Sequence, residues 1–142
     1  MLTRRDRFNK ARDRMLRAAY RASGGRVAGR FGRARILLLT TTGRSSGKPH
    51  TVPLIYMEDG DRFAVTASNA GQDHHPSWFR NLMAQPEAVV EIGTRSVPVR
   101  ARVADEAERE SLWPQFVGVF KGYQTYQRRT DRRIPVILLE PR

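Results

Sequence analysis

The sequence contains no cysteine among its 142 residues, which excludes disulfide bonds, thiolate metal ligands and cysteine nucleophiles. Its apolar runs are short. Ile36–Leu39, for example, falls far below the roughly 20 residues that a membrane-spanning helix needs. No apolar segment follows the basic N-terminus, so we do not expect a secretory signal. These absences fit a cytoplasmic protein, and the length suits one domain with a single hydrophobic core.

The sequence also has few groups suited to hydrolytic or metal chemistry. It has no Gly-x-Ser-x-Gly segment and no pair of carboxylates in an apolar setting, so a nucleophile elbow and an acid–base pair are both missing. Of its three histidines, His74 and His75 are adjacent and His50 is distant in the chain. Adjacent histidines rarely direct both rings at one ion, and a zinc site needs three or four ligands. We assign no metal.

Positive charge is abundant but unevenly placed. The net charge is +12, and residues 1–35 hold 12 Lys and Arg against Asp6 and Asp13, a balance of +10. We therefore divide the chain into a basic N-terminal segment, residues 1–35, and a nearly neutral body, residues 36–142. Binding of nucleic acid through these arginines is a competing hypothesis, but the body has no basic stripe interleaved with aromatic residues.

The basic segment has the periodicity of a helix that ends at Ser23-Gly24-Gly25, followed by a loose connector over residues 26–35. Such a basic amphipathic helix can pack on the body or lie on an anionic membrane surface, and both interpretations stay open. The apolar residues expected on its buried face are Phe8, Ala11, Met15, Ala18 and Ala22, widened by Leu16, Ala19 and Tyr20.

The body alternates strand and turn signals, and Asp59-Gly60 is typical of a hairpin turn. Pro53 indicates a strand edge or a bulge. A helix is predicted to start near Asp105 and to bend near Gly118 and Gly122. The fold class is therefore α+β, mainly β, with an antiparallel six-stranded barrel and flanking helices. The six predicted strands are 36–42, 50–57, 62–68, 88–92, 96–103 and 134–139, and a short helix covers 76–84.

Three segments could carry a binding site. The loop from Gly43 to His50 combines two glycines, two serines, Arg44 and Lys48, which suits an anion, although an ordinary hairpin loop explains it equally well. The small residues 67–71 would let a flat ring or a phosphate approach the backbone, although taken alone they are more typical of a plain loop. Phe120, Tyr123 and Tyr126 are three residues apart, which on a helix makes an aromatic ridge that serves the core or a pocket wall.

Several segments in the same order resemble the deazaflavin-dependent nitroreductase family. The resemblance covers about residues 36–141. It rests on joint order and spacing, because no single motif is specific. The matching segments are 37–49 (LLLTTTGRSSGKP), 52–56 (VPLIY), 67–69 (ASN), 76–82 (PSWFRNL), 113–115 (WPQ), 123–127 (YQTYQ) and 132–135 (RRIP).

The resemblance implies a split β-barrel that binds coenzyme F420, a deazaflavin with a phosphate-linked polyglutamate tail, and an enzyme that passes hydride from the reduced cofactor to a quinone, an enone or a nitro compound. The implied tail contacts are Arg44, Ser45, Ser46, Gly47, Lys48 and His50. Those along the ring are Val52, Pro53, Ile55, Ala67, Ser68, Asn69, Trp78, Asn81 and Tyr123. Phe120, Tyr123 and Tyr126 would line the substrate side, and Tyr123, Tyr126 or Ser68 would protonate or orient the product.

Two alternatives remain on the same barrel: an FMN-binding protein, and an F420 carrier that performs no turnover. Titration of the protein with both cofactors separates the first, and oxidation of reduced F420 by an acceptor separates the second. The sequence leaves the oligomeric state open between monomer and dimer.

Overall fold

The computed structural model describes residues 4–142, with side chains from Lys10 onward. The helices are α1 (Arg4–Ser23), α2 (Ser77–Ala84), α3 (Glu106–Val119) and α4 (Gly122–Arg129), and a 3₁₀ turn covers Asn69–Gly71. The strands are β1 (Arg30–Phe31), β2 (Ala34–Thr42), β3 (Pro49–Asp59), β4 (Arg62–Thr66), β5 (Glu87–Ile92), β6 (Arg95–Val103) and β7 (Val136–Pro141).

The strands form a closed antiparallel barrel. Their order is β1-β2-β3-β4-β7-β6-β5. An additional pairing of β2 with β5 closes the six strands β2 to β7 into a barrel. The six-stranded antiparallel α+β fold expected from the sequence is thus confirmed. The two-residue β1, which pairs with the start of β2, lies in the segment expected to be a loose connector.

Alternating side chains divide the hydrophobic core into two layers, as the period of a strand requires. Along β4, Phe63 and Val65 point into the barrel with Leu37 and Leu39 of β2. Ala64, on the other face of β4, joins an outer layer beneath α3 and α4. The buried members of that layer are Ala64, Leu112, Phe116, Tyr123, Val136 and Leu138.

The barrel is split between β3 and β4. Strand β3 pairs with β2 over eight positions from Pro49 to Tyr56, but it pairs with β4 only from Met57 to Asp59. The edge of β3 that faces away from β2 is therefore unpaired over most of its length. Pro53 lies on this stretch, where its missing N–H costs no ladder hydrogen bond, as its position in the sequence predicts.

The predicted bend between α3 and α4 is present. Helix α3 begins with a capping box in which Asp105 and Glu108 satisfy each other's backbone N–H groups, and it ends at Val119. The Phe120 ring then packs over Gly122, where an added Cβ would lie 2.4 Å from the ring. The chain therefore needs glycine at position 122 for Phe120 to fold back between the helices.

Helix α1 ends as predicted but packs through a different face. Gly24 and Gly25 adopt left-handed φ values of 64° and 85° after its last turn. The expected stripe is wrong: Ala11, Met15, Ala18 and Ala22 are exposed, and the side chain of Phe8 lies outside the described residues. None of the helices described here is long and apolar enough to cross a bilayer.

Tyr20 fixes the rotation of α1. It is 2 % exposed, its hydroxyl lies 3.0 Å from the Ile36 carbonyl and 3.2 Å from the Glu91 carbonyl, and it accepts the Gly93 N–H at 3.0 Å. A phenol that reaches three backbone groups on two strands directs one helix face to the barrel. The apolar stripe lies on the opposite face because alanine and methionine offer no such contact.

We predict that Tyr20→Phe destabilises the fold by about 1–3 kcal/mol, because it leaves a partly buried N–H and a partly buried carbonyl without their hydrogen-bond partner. Urea unfolding followed by circular dichroism measures the change. Met15→Ala, at a position 72 % exposed, is the control and should stay within about 0.5 kcal/mol of the parent. Equal midpoints for the two variants would contradict the anchoring role.

Candidate active site

A cavity of about 670 Å³ opens at the split between β3 and β4, within the size range of small-molecule and cofactor sites. Its floor is apolar, and α1, the connector and α4 complete the walls. The lining residues from the barrel side are Ile36, Leu38, Val52, Pro53, Leu54, Ile55, Thr66, Ser68, Asn69, Ala70, Pro76 and Trp78; those from the helices and connector are Arg12, Asp13, Leu16, Tyr20, Ala28, Arg30, Phe31, Phe120, Tyr123 and Tyr126.

A second cavity of about 350 Å³ lies next to the first. The two share Asp13, Val52 and Trp78 in their walls. The second is strongly basic, since α1 and β3 place four cationic or titratable side chains around it: Lys10, Arg14, Arg17 and His50. The two cavities therefore adjoin, one apolar and one cationic, and are together called the groove below. This arrangement suits a flat ring that carries an anionic tail.

The structure brings many of the predicted site residues to this groove. The large cavity is lined by Val52, Pro53, Ile55, Ser68, Asn69, Trp78, Phe120, Tyr123 and Tyr126, and the small one by His50, Val52, Trp78 and Asn81. Arg44, Ser45, Ser46, Gly47, Lys48 and Ala67 lie outside both walls.

Arg44 is held by α2. Its Nη1 donates to the Ser77 carbonyl, the Ser77 hydroxyl and Asn81 Oδ1 at 2.8–3.2 Å, and its backbone N–H also donates to Asn81 Oδ1. The buried Asn81 amide in turn donates to Thr41 Oγ1. Asn81 therefore fixes the loop after β2 by joining Arg44 to Thr41. The cofactor contacts predicted for Arg44 and Asn81 stay a prediction.

The segment after β4 turns through three consecutive left-handed residues. Asn69, Ala70 and Gly71 have φ values of 47°, 54° and 78°, a conformation that costs free energy at alanine. At Gly71 an added Cβ would lie 2.7 Å from the Tyr126 carbonyl oxygen, so the turn sits against the backbone of α4. Backbone strain of this kind is concentrated at ligand sites, and this turn lines the large cavity.

An aromatic cluster next to this turn lines the same cavity. Phe120 meets Phe31, Tyr123 and Tyr126 with ring centroids 5.7, 5.1 and 5.9 Å apart, so the connector and α4 are joined across the cavity mouth. Tyr123 is the buried member of the cluster, and this burial raises the pKa of its phenol to about 12. The hydroxyl of Tyr123 therefore keeps its proton at neutral pH.

Thr66 is a lining residue that the sequence reasoning missed. Its hydroxyl lies near Tyr123 and opposes part of the rise in the phenol pKa, without meeting the geometry of a hydrogen bond. Among the residues that the structure describes, Thr66 Oγ1 is the buried side-chain polar atom left without a partner. An unpaired buried hydroxyl costs about 1–3 kcal/mol, so its place in the cavity wall fits a bound polar group.

The α1 residues of both cavities were also missed as site residues. From the sequence, this helix was expected either to pack on the body or to lie on an anionic membrane surface. Tyr20 was among the apolar residues expected on its buried face. No local pattern separates Arg14 and Arg17 from the other arginines of the helix, because their side chains reach the groove only through the rotation that Tyr20 imposes.

Comparison with known proteins places these features in a family. The model of the F420H(2)-dependent quinone reductase family matches residues 12–141. An F420H(2)-dependent quinone reductase of Mycobacterium tuberculosis is 36% identical over 130 residues, which cover 88% of this chain and 87% of that protein.

Solved structures agree. An F420H2-dependent reductase, FDR-A, is 42% identical with a TM-score of 0.69 over 74% of this chain and 93% of its own. A structure described as a domain-swapped dimer is 35% identical with a TM-score of 0.71, over 97% of this chain and 100% of that one.

We predict that one phenol titrates near pH 12 in the folded protein, and that it is Tyr123. In the unfolded chain a phenol loses its proton near pH 10, so the folded state holds more protons between these values and stability falls as pH rises through them. Phenolate absorbance measures the titration. Tyr123→Phe should abolish this step and Tyr126→Phe should leave it in place; its survival in Tyr123→Phe contradicts the assignment.

Proposed function

The chain belongs to the F420H(2)-dependent quinone reductase family, and from this premise we propose that it passes hydride from reduced F420 to a quinone or a related electrophile. The observation that carries the proposal is that the apolar cavity adjoins the cationic cavity, with Asp13, Val52 and Trp78 in both walls. An apolar ring site alone would suit many ligands, whereas a ring site that leads into a row of cations selects a ring with a long anionic tail.

The residues present fit this cofactor. Val52, Pro53 and Ile55 supply an apolar surface along the unpaired edge of β3, and the orphaned Thr66 hydroxyl and the turn after β4 supply polar groups. When bound, reduced F420 supplies the hydride. The protein's contribution is to orient the ring, to exclude water with the Phe31–Phe120 contact, and to position the acceptor.

A hydroxyl group at the cavity can supply the proton that the product needs. Tyr123 is a neutral phenol under physiological conditions, and Tyr126 and Ser68 lie on the same cavity wall. A phenol with a raised pKa keeps its proton, so Tyr123 can orient the acceptor oxygen as a neutral hydrogen-bond donor. Tyr123, Tyr126 and Ser68 all remain candidates for the proton donor.

For the tail we propose that α1 supplies the main contacts. Arg14, Arg17 and Lys10 line the small cavity with His50, whereas Arg44 is engaged by Ser77 and Asn81 and Lys48 is exposed outside the wall. FMN, with one terminal phosphate, would use few of these cations, and its predicted role as the alternative cofactor is disfavoured for that reason.

We predict that oxidised F420 binds more tightly than FMN, and that Arg14→Gln with Arg17→Gln weakens F420 binding about five- to tenfold at low salt, since exposed charge pairs contribute roughly 0.2–1 kcal/mol each. Fluorescence titration measures both affinities. The chromophore without its phosphate-linked tail should bind the variant and the parent equally.

The control is Arg26→Gln with Arg33→Gln, which removes the same charge from exposed positions outside both cavities. An equal loss of affinity in the control would show a general charge effect and contradict the groove. Oxidation of reduced F420 by a soluble quinone tests turnover. A protein that binds F420 but oxidises none of it with a quinone, enone or nitro panel is the carrier alternative.

We also propose that the exposed face of α1 contacts anionic membrane surfaces at the cytoplasmic side. This face is not used for packing: Met15 is 72% exposed, and Ala11, Ala18 and Ala22 on the same face are exposed as well. Basic side chains of the helix add attraction of about 1 kcal/mol each near an anionic surface. A peripheral position would bring the cavity close to quinones dissolved in the bilayer.

We predict that Met15→Glu abolishes co-sedimentation with vesicles that contain anionic lipid, because it buries a carboxylate at the interface. Ala22→Gln, on the same exposed face but uncharged, is the matched control and should retain most of the binding. If the parent does not bind the vesicles, or if Met15→Glu still binds them, the membrane proposal is wrong. Neither result affects the proposed cofactor site.

A further inference from the structure

Arg132 is a side chain with an unusual set of partners. Its guanidinium donates to three backbone carbonyls, those of Ala67 at 3.1 Å, Ser68 at 2.7 Å and Gln72 at 2.8 Å. Its Nη1 also lies 3.1 Å from His75 Nδ1. All four partners lie on the segment between β4 and α2, more than 50 residues away in the chain, so one side chain holds the whole segment.

Arg132 is itself held in place. Its carbonyl accepts from Gln127 Nε2 at 2.8 Å and its N–H donates to Thr130 Oγ1. The other end of the Gln127 amide accepts from the Ile134 N–H and from Arg109 Nη2. These hydrogen bonds hold the backbone of Arg132 in place just after α4. A side chain can fix the position of another segment only when its own backbone is held in this way.

The bonds from Arg132 decide which way the peptides of this segment face. In a trans peptide the C=O and the following N–H point in opposite directions. Because the carbonyls of Ala67 and Ser68 are turned toward Arg132, the N–H groups of Ser68 and Asn69 are turned away from it. Ser68, Asn69 and Ala70 line the large cavity, so these N–H groups are offered to its contents.

The backbone there has the geometry of an anion-binding nest. Ser68 is right-handed helical, with φ −72° and ψ −36°, and Asn69 follows in the left-handed region. This alternation makes successive N–H groups converge on one point. Within residues 4–142, the N–H groups of Ser68, Asn69 and Ala70 donate to no protein acceptor, whereas that of Gly71 bonds back to the Ser68 carbonyl.

We propose that Arg132 is a positioning residue: by holding the carbonyls of Ala67 and Ser68, it aims the peptide N–H groups at residues 68–70 at an electronegative atom of the bound cofactor ring. The positive guanidinium behind the peptides also strengthens these N–H groups as donors, since it polarises the carbonyls that they are conjugated with. This inference rests on the proposed cofactor, and it concerns a residue that touches neither cavity.

Lysine cannot replace this arginine, because three carbonyls and a ring nitrogen are served by a planar fork of donors that an ammonium group does not reproduce. Arg133, the next residue, is the natural control. It is exposed and pairs with Glu106 on the surface, so it carries the same charge without contacting the segment.

The experiment compares Arg132→Ala, Arg132→Lys and Arg133→Ala with the parent. Hydrogen exchange of the cofactor-free protein is measured first, and within residues 67–75 the hydrogen-bonded amides of Ala67, Gly71 and Gln72 should exchange faster in both Arg132 variants only. Titration with oxidised F420 should then show affinity about tenfold or more weaker in both, as expected for lost charge-assisted hydrogen bonds. In turnover, KM for reduced F420 should rise while kcat changes little.

Added guanidinium ion supplies the readout that a purely structural role would not give. At millimolar concentration it should restore F420 affinity to Arg132→Ala in part and leave Arg133→Ala unaffected. If Arg132→Ala does not fold, Arg132→Lys carries the comparison. Unchanged exchange over residues 67–75, or F420 affinity within twofold of the parent in the Arg132 variants, overturns the inference. A parent that binds no F420 overturns the proposed function instead, and the exchange data still judge the positioning.

Discussion

The separation of β3 from β4 is the constraint on which the rest of the molecule depends. Closure of the barrel through β2 and β5 gives each barrel strand two neighbours, but one edge of β3 is unpaired over the residues that precede Met57. An open strand edge invites pairing with another chain. Here Pro53 removes a hydrogen-bond donor from that edge, and the space beside the edge is a cavity and not a further strand. A ring can lie along β3 only because no strand does.

An opening of this kind needs a wall, and α1 supplies it. The helix is attached to the barrel through Tyr20 and through Arg21. Arg21 forms a bidentate ion pair with Glu91 at 2.9–3.1 Å. These two contacts set its rotation and place its side chains in two surroundings: Lys10, Arg14 and Arg17 line the small cavity and Arg12 lines the large one, while Ala11, Met15, Ala18 and Ala22 are exposed. A segment that looks uniform by composition thus has two different faces.

Local signals predict most of the fold and less of the site. Hairpin turns such as Asp59-Gly60, strand alternation and the glycines after α1 depend on near neighbours in the chain, and the elements that they predict are confirmed. The buried face of α1 could not be read in this way, because a single phenol reaching Ile36 and Glu91 outweighs four small apolar residues. The aromatic ridge was found because its three members come from one short segment.

The polar features of the site were the least predictable, since each joins segments far apart in sequence. Thr66 is an ordinary strand residue until α4 covers it, and the turn at residues 69–71 takes its shape from contact with Tyr126 and Arg132. Nothing in the local sequence marks Ala70 as left-handed. The sequence did indicate that small residues follow β4 and that the backbone there could be approached closely.

Most polar groups in the wall of the large cavity are hydrogen-bond donors or positively charged side chains. Around the large cavity the polar side chains are hydroxyls, phenols, the Asn69 amide and arginines, and within the described residues Asp13 is the carboxylate in its wall. Hydride addition to an electrophile leaves negative charge on the acceptor, which such donors stabilise without reorganising. The same lining would disfavour reactions that develop positive charge. The groove is therefore suited to reduction of an oxygen-bearing acceptor, whichever hydroxyl supplies the final proton.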